Sequence, residues 1–379
     1  MYHKSLIALD VETTTISNGD PYNPDNKLVS ISIYDGKTHY WFYKNFNLEE
    51  IQHFINNNKI IVSNGKFEEG WLHRIGINLT DAEVIDIQLA EFILSNQTHI
   101  MPSLNGMALK YLNRQKIDNI KLNYWDKGID TWFIPEPELR EYNEEDTKLT
   151  YEIWTHQEQL LVQQNKLNLF HTDCLDQLVL HEMEYNGILY DVEQSLKQAE
   201  KVDDESNVCK QELISLSGLN CFDPASNDHL SALLYGGKIV EDERIPIGVY
   251  KSGAKVGHIR YKVLKKEHIL PRLIEPLKGT EYKKGNIWST DEDTLLSLKP
   301  KGHVKHICDL ILKRRGLEKL NSTYLRGFPK IIKERNWENN IIHSTLNQCV
   351  AKTGRLSSAK PNSQNMDENT KSNCVSRYD

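Results

Sequence analysis

The sequence predicts an α/β fold, in which a mixed β-sheet flanked by helices is followed by a mostly helical segment. Three strand-forming runs predict the sheet: residues 6–14, residues 28–34 and, after a turn at Asp35-Gly36, residues 39–43. A helix over residues 48–57 and a short buried strand over residues 59–63 then give the alternation of helices and strands that α/β domains show.

Two acidic side chains stand at the end of the first strand. Asp10 and Glu12 are separated by one residue, so both project from the same face of a strand. Adjacent carboxylates repel each other unless a cation or a proton neutralises them, and an oxygen-only cluster suits Mg²⁺ or Mn²⁺. Taken alone, the pair is weak evidence, because an ordinary strand end with two solvated acids has the same pattern.

Two further motifs place acids at a helix start and inside a helix. Residues 64–68, N-G-K-F-E, follow a strand, where the carboxylate of Glu68 also suits simple helix capping. Tyr142 and Asp146 lie four residues apart in a helix predicted to end near residue 159, so they share one face. Without context, a pair of this kind is typical of a helix surface.

In this order, the motifs D-x-E, N-x-x-F-E and Y-x-x-x-D resemble those of the 3′–5′ proofreading exonuclease domain of family A DNA polymerases. The resemblance implies a ribonuclease H-like fold and two divalent metal ions, Mg²⁺ or Mn²⁺, about 3.5–4 Å apart. It assigns Asp10 to both metals, Glu12 and Asp146 to the metal that activates water, and Glu68 to the other metal. Tyr142 would orient the attacking water.

Glu68 departs from the family pattern, which has aspartate at this position. The extra methylene moves the carboxylate outward by about 1 Å, and a misplacement of that size can cost about 10²-fold in rate. A contact to the metal through water would tolerate the change. Glu69 is a conceivable substitute, although its side chain is expected to point elsewhere around the helix. In the same motif, Asn64 is a candidate for DNA contact.

The middle of the chain is predicted to be mostly helical. A long helix over residues 192–217 and a helix over residues 229–234, ended by Gly236-Gly237, resemble in their order the thumb of the same polymerase family. A basic stretch with interleaved tyrosines over residues 250–285 fits either contact with DNA phosphates or a solvated loop. The extension after Gly236-Gly237 resembles phage-type members of the family more than the bacterial enzyme.

A further helix over residues 306–324 carries positive charge on its outer face, as an ordinary surface helix also does. Its sequence R-G-L-x-K-L-x-S-T-Y resembles the thumb-to-palm helix that grips the primer–template minor groove in this family. The resemblance makes five residues candidates for contacts with the DNA backbone, which fix position without reading sequence: Arg315, Lys319, Asn321, Ser322 and Thr323.

The most specific single match follows a strand predicted over residues 341–348. Residues 353–365, T-G-R-L-S-S-A-K-P-N-S-Q-N, are similar to the T-G-R-L-S-S-x-x-P-N-L-Q-N motif of family A polymerases. The resemblance implies that Arg355 reaches the minor-groove side of the primer terminus, and that Asn362 and Gln364 contact the duplex nearby. Ser363 replaces the usual leucine, a packing change that we do not expect to abolish function.

The resemblance predicts three domains: an exonuclease domain (residues 1–160), a helical linker with a DNA-binding thumb (161–335) and an N-terminal piece of the palm (336–379). The family's D-Y-S-Q-x-E segment, fingers helix and H-D-E pair have no match in these residues, so polymerase activity alone is not expected. We expect a split polymerase that acts on single-stranded 3′ ends and primer–template duplex, with a second polypeptide carrying palm and fingers. The alternatives are a DNA-binding clamp subunit with weak or no exonuclease activity, and an accidentally truncated polymerase.

Composition and charge bear on the remaining classes. A net charge of −7 over 379 residues argues against a uniformly basic coat, though not against a local basic groove. The six cysteines have no paired spacing, which argues against a disulfide framework or a zinc site. With no apolar run near the about 20 residues of a membrane span and no room for a signal peptide, we expect no membrane contact and a cytoplasmic location in a bacterial or phage-infected cell.

Overall fold

The structure is a computed structural model that describes residues 4–116, 118–253, 256–282 and 286–377. The chain forms two compact units, of which the first contains Met1–Val192 with Phe328–Asp379 and the second contains Glu193–Gly327. Residues 161–192 and 328–335, expected in the helical linker and thumb, group with the first unit. The names exonuclease, thumb and palm stay predictions. Lys255, Lys283 and Lys284 of the basic stretch lie outside the described residues.

A five-stranded mixed sheet forms the centre of the first unit. Its strands, in the spatial order β3-β2-β1-β4-β5, are β1 (Ser5–Thr13), β2 (Leu28–Tyr34), β3 (His39–Tyr43), β4 (Asn58–Val62) and β5 (Glu83–Asp86). The central strand β1 pairs antiparallel with β2 and parallel with β4. The predicted α/β class with a mixed sheet is thus confirmed.

Helices cover both faces of this sheet. In chain order they are α1 (Leu48–Asn57), α2 (Gly65–Arg74), α3 (Ile87–Leu94), α4 (Leu104–Leu112), α5 (Asn119–Asn123), α6 (Glu136–Gln163) and α7 (Leu167–Asn186), which a short strand β6 (Ile188–Leu189) follows. Ile7 and Leu9 of β1 pack with α1 and α2, whereas Ala8 packs with α3, α4 and α6. Because strand side chains alternate between faces, Asp10 and Glu12 lie on the α6 side.

The second unit is helical, with one exposed two-stranded ribbon. Its elements are α8 (Val192–Ser217, of which Val192 belongs to the first unit), α9 (Asn227–Tyr235), β7 (Gly237–Val249), β8 (Ile259–Leu270), α10 (Glu292–Ser297) and α11 (Gly302–Leu320). Helices α8, α9 and α11 share a core that contains Leu213, Leu234 and Ile311. Of the basic stretch, which fitted either DNA contact or a solvated loop, residues 259–270 form β8 and pair antiparallel with β7 in a ribbon, in which Ile239 is the buried residue of β7.

The last segment begins with α12 (Gly327–Arg335) and continues with β9 (Ile341–Ile342), β10 (Thr345–Asn347), β11 (Ser357–Ala359) and α13 (Glu368–Lys371). The strand predicted over residues 341–348 is divided in two, because β9 pairs with β6 whereas β10 pairs with β11. The division lies at His343, whose ring stacks on Tyr22 with 4.0 Å between centroids and whose Nδ1 donates to the Glu184 carbonyl at 2.8 Å. Among the described residues, no helix has the length and apolar character needed to cross a membrane.

Candidate active site

Three of the four predicted metal-ligating carboxylates meet at one place. Asp10 and Glu12 project from β1 and Asp146 projects from α6, and one ligand oxygen of each lies within 4.8 Å of the others. Helix α6 packs directly on β1 and β2, where the hydroxyls of Ser32 and Thr147 share a hydrogen bond of 3.0 Å. Packing between elements far apart in the chain thus assembles what we call the acid group, Asp10, Glu12 and Asp146.

The fourth predicted acid, Glu68, lies beside the acid group but is not a member of it. Burial first, and then the charge of Asp10, raises the pKa of Glu68 well above its ordinary value. Its Oε2 has no hydrogen-bond partner among the described residues. The conceivable substitute Glu69 lies instead near Asp86 and Lys66. After the effect of burial, the charges of these two residues have the largest influence on the pKa of Glu69. Of the two glutamates, only Glu68 has Asp10 among the main influences on its pKa.

A lysine that no sequence motif marked lies against the acid group. Lys116 Nζ is 2.5 Å from Asp146 Oδ2 and donates to Tyr142 Oη at 2.7 Å. The same ammonium lies 4.1 Å from the centroid of the Tyr142 ring, and the lysine side chain is only 14% exposed. Lys116 comes from the connection between α4 and α5. It balances part of the negative charge, and the predicted pair Tyr142 and Asp146 share it.

A buried amide fixes the orientation of the central carboxylate. Asn143 Nδ2 donates to Asp10 Oδ2, and Asn143 Oδ1 accepts a hydrogen bond from Ser30 Oγ at 3.2 Å. Asn143 has no exposed surface, so its amide has little freedom to turn. The sequence offered one signal for this residue, since Asn143 lies next to Tyr142 in the Y-x-x-x-D motif, but spacing alone did not show which strand it faces.

Burial dominates the electrostatics of the acid group. Burial, followed by the charge of Asp146, raises the pKa of Asp10 to about 8. Burial also raises the pKa of Asp146 to about 6, although Lys116 opposes the rise. Burial and then Asp10 raise the pKa of Glu12 well above its ordinary value. Asp146 Oδ1 has no hydrogen-bond partner among the described residues, so this oxygen-only donor set fits a divalent cation.

A cleft of about 440 Å³ opens beside Glu12. Its walls include the residues that follow β1 and the segment from Trp125 to Thr131. Thr15 ties the two walls together, because its amide and its hydroxyl donate to Asp130 Oδ2 at 2.7 and 2.8 Å. The volume falls within the range of about 300–1,000 Å³ that is usual for small-molecule sites. The cleft can therefore hold a molecule of nucleotide size next to the acid group.

Comparison with known proteins finds similarity to one family. Residues 249–377 match the model of DNA polymerase family A. DNA polymerase I of Borreliella burgdorferi is 24% identical over 374 residues, which cover 95% of this chain and 35% of that protein. DNA polymerase I of Synechocystis sp. is 43% identical over 79 residues, which cover 21% of this chain and 7% of that protein. Residues 249–377 of this chain are therefore similar to DNA polymerase family A, and the wider chain is similar to DNA polymerase I of B. burgdorferi.

The fold of the chain is similar to that of a solved structure over nearly its whole length. The polymerase domain of Pol1 from M. smegmatis, in complex with DNA primer–template and dNTP, matches with a TM-score of 0.67 and 18% identity. The match covers 97% of this chain and 52% of that one. The chain thus spans about half of the solved structure. It spans 35% of the B. burgdorferi enzyme, and the Synechocystis match covers 7% of that enzyme.

The residues predicted to contact DNA differ in their surroundings. Asn64 is exposed at the start of α2, and Lys319, Ser322 and Thr323 are exposed at or beyond the end of α11. Asn321 is buried, and its side-chain amide donates to Asp203 Oδ1 at 2.5 Å. The internal hydrogen bond occupies the Asn321 amide. DNA contact by these residues stays a prediction, and it has least support for Asn321.

Arg315 and the C-terminal motif also make internal contacts. The Arg315 guanidinium donates to Asn227 Oδ1 at 2.9 Å and to Thr290 Oγ1 at 3.0 Å, so it holds parts of the second unit together. In the motif, Gln364 Oε1 accepts from the Ser358 amide at 3.0 Å, and Asn362 Oδ1 accepts from the Gln364 amide at 3.1 Å. Arg355 is exposed. DNA contact by Arg315, Arg355, Asn362 and Gln364 likewise stays a prediction.

Proposed function

We propose that this chain is the 3′–5′ exonuclease-bearing part of a family A DNA polymerase and that it releases nucleotides from DNA 3′ ends. The observation that carries the proposal is the convergence of Asp10, Glu12 and Asp146 within 4.8 Å, from a strand and a helix far apart in the sequence. A ribonuclease H-like domain over residues 1–160 would hold this site. The five-stranded mixed sheet with helices on both faces supports that assignment.

Two divalent cations, either Mg²⁺ or Mn²⁺, fit the carboxylate oxygens of this site. Asp10, Glu12 and Asp146 would hold one cation, and Asp10 with Glu68 would hold the other. When bound, the cations supply a nucleophile at neutral pH and neutralise the charge that develops on the leaving 3′-oxygen. The unpartnered oxygens of Asp146 and Glu68, both buried, support cation binding, since buried carboxylate oxygens are normally paired.

The residues around the acid group would position the reactants. Tyr142 Oη, which accepts from Lys116 in this structure, would orient the attacking water by a hydrogen bond. Asn143 would keep the Asp10 carboxylate in one orientation through the amide bond described above. The cleft beside Glu12 would receive the terminal nucleotide and exclude bulk water from its phosphate.

The second unit would bind primer–template duplex. The exposed residues Lys319, Ser322 and Thr323, with basic residues of β8 such as Lys262 and Lys265, supply the groups that phosphate contacts require. The M. smegmatis relative, solved with DNA primer–template, supports DNA as the ligand. Nucleotide addition during DNA replication would need the parts of the M. smegmatis polymerase domain that this chain does not cover. A second polypeptide that carries palm and fingers stays a prediction.

A nuclease assay tests the proposal directly. The purified chain is incubated with single-stranded DNA labelled at its 5′ end, in the presence of Mg²⁺ or Mn²⁺. We expect a ladder of products that shorten from the 3′ end and whose formation stops when EDTA removes the cations. A chain that binds the DNA but leaves it intact with both cations would instead be a DNA-binding clamp subunit.

Glu68 and Glu69 form a matched pair for testing the fourth carboxylate. Both are buried on α2 and both have a raised pKa, but Asp10 is among the main influences only on Glu68. We expect Glu68→Gln to slow DNA shortening by about 10²-fold, as for a misplaced catalytic group, and Glu69→Gln to change the rate by less than about threefold. Initial rates at saturating Mn²⁺ measure both. Equal losses in the two variants would contradict the role assigned to Glu68.

The stabilisation that Mn²⁺ gives is expected to increase with pH. The pKa of Asp10 is about 8 in the folded, metal-free protein and 3.8 ordinarily, so between these values the folded state binds more protons than the unfolded state. The stability of the metal-free protein therefore falls as pH rises through this window. Protons and cations compete for the same oxygens, so Mn²⁺ binds better at high pH. Melting temperatures with EDTA or Mn²⁺ at pH 6 and pH 9 measure the effect. A rise in melting temperature on adding Mn²⁺ that is smaller at pH 9 than at pH 6 would contradict this expectation.

A further inference from the structure

A second group of ligand-type side chains lies in the second unit, at the root of the β7–β8 ribbon. Cys221 follows α8, Glu241 lies on β7 and His268 lies on β8, and a ligand atom of each lies within 4.8 Å of the others. Among the described residues, this group and the acid group are the two that show such spacing. The nuclease proposed above makes no use of it, so the two sites can be tested separately.

The geometry of the ribbon brings the glutamate and the histidine together. Ile239 is the cross-strand partner of His268, and Glu241 lies two residues beyond Ile239 on the same face of the strand. His268 Nε2 is accordingly 2.8 Å from Glu241 Oε2. Cys221 is held in place by its neighbour Phe222, which is buried in the core of the second unit. Two paired strands thus fix Glu241 and His268, and a turn anchored by the buried Phe222 ring fixes Cys221.

The donor set indicates the class of metal. A thiolate and an imidazole favour zinc over magnesium or calcium, which prefer oxygen, and a carboxylate is a common further ligand of zinc. In a tetrahedral zinc site with bonds of about 2.0–2.3 Å, ligand atoms lie about 3.3–3.8 Å apart. The three donor atoms, all within 4.8 Å of one another, reach that spacing by small side-chain rotations.

We propose that Cys221, Glu241 and His268 bind Zn²⁺ and fix the root of the ribbon to the helical core of the second unit. The Cys221 thiol loses its proton to solvent on binding. Glu241 is 38% exposed at its side chain, so water can take the fourth position. Few apolar contacts hold the ribbon, because Ile239 is the buried residue of β7. A metal at the root therefore adds a link where packing is sparse. Cysteine spacing could not reveal the site, since its ligands come from separate segments.

Cobalt substitution tests the proposal without relying on activity. The full chain, stripped with chelator, is titrated with Co²⁺ under reducing conditions. We expect one equivalent of Co²⁺ to give the visible bands of tetrahedral cobalt and a thiolate-to-cobalt charge-transfer band. Both should disappear when Zn²⁺ displaces the Co²⁺. Cys221→Ser should abolish the charge-transfer band, whereas Cys374→Ser, a half-buried cysteine elsewhere in the chain, should preserve it. A wild-type chain without this band, or a Cys221→Ser chain that keeps it, would overturn the proposal.

A second measurement reports the effect on the ribbon. Amide hydrogen exchange is followed over residues 237–241 and 266–270, with and without Zn²⁺, in an Asp10→Asn background that weakens binding at the acid group. Zn²⁺ at about 100 times its dissociation constant should slow exchange at the root by at least about tenfold. The His268→Gln variant should show no slowing. Slowing that persists in His268→Gln, or no slowing at all, would count against a metal at the ribbon root.

Discussion

Replacing Asp10 by asparagine is expected to lower the rate of DNA shortening by at least about 10³-fold while the chain stays folded. Asp10 is the acid that both cations would share, and its carboxylate lies within 4.8 Å of ligand oxygens of Glu12 and Asp146. Metal ions supply several kcal/mol of transition-state stabilisation in phosphoryl chemistry, and about 1.4 kcal/mol corresponds to tenfold in rate. Asparagine keeps the shape of the side chain and removes one anionic ligand.

The Asp10→Asn variant should lose activity without losing thermal stability. The raised pKa of Asp10 reflects the cost of burying its charge near Asp146, so Asp10→Asn should melt at or above the wild-type temperature in EDTA at pH 8. The exposed acid Asp81 provides a matched control, and Asp81→Asn should change neither quantity. Initial rates with Mn²⁺ and melting curves in EDTA measure both. An Asp10→Asn protein that digests DNA at the wild-type rate would remove the acid group from the mechanism.

The local parts of the fold could be predicted because the sequence signals are local. The strands over residues 28–34 and 39–43 and the helix over residues 48–57 coincide with β2, β3 and α1. The alternation of apolar and polar residues, a two-residue turn and helical periodicity each locate the end of a strand or helix to within a few residues. The division of residues 341–348 could not be predicted in this way. The first segment, β9, pairs with β6 from a distant part of the chain, whereas the second, β10, pairs with β11, which follows it closely.

The β7–β8 ribbon shows a second limit of pattern reading. Exposed strands have no buried face, so charged and apolar residues need not alternate along them. The basic character of residues such as Lys262 and Lys265 was visible in the sequence, but their cross-strand pairing with Ile245 and Asp242 was not. For the same reason the grouping of Cys221 with Glu241 and His268 could not be predicted, because it depends on the register of that pairing.

The candidate site divides along similar lines. Asp10 and Glu12 could be predicted to share a face from a period of two, and Tyr142 and Asp146 from a spacing of four. Their meeting in one place followed from resemblance, not from either period. Lys116 could not be predicted, because it lies in an irregular connection and reaches the acid group through tertiary packing alone. Sequence periods identify which side chains share an element, whereas charge balance across elements needs the structure.

Lys116 provides the second large effect that we expect. Its ammonium contacts Asp146 and Tyr142, and both members of the ion pair are largely buried, with 14% and 7% of their side chains exposed. Removing one partner of a buried pair leaves the other charge uncompensated, at a typical cost of about 3–5 kcal/mol. In EDTA at pH 8, Lys116→Met should therefore lower the free energy of unfolding by about 3 kcal/mol. Urea unfolding followed by tryptophan fluorescence measures the change.

Manganese separates a role in charge balance from a role in packing. A cation bound to Asp10, Glu12 and Asp146 would replace the missing ammonium, so saturating Mn²⁺ should restore most of the stability that Lys116→Met loses. The exposed lysine Lys121, on the neighbouring helix α5, is the matched control, and Lys121→Met should change stability by less than about 0.5 kcal/mol with or without Mn²⁺. A loss in Lys116→Met that Mn²⁺ leaves unchanged would mean that the lysine supports its loop, because only a deficit of positive charge can be filled by a cation.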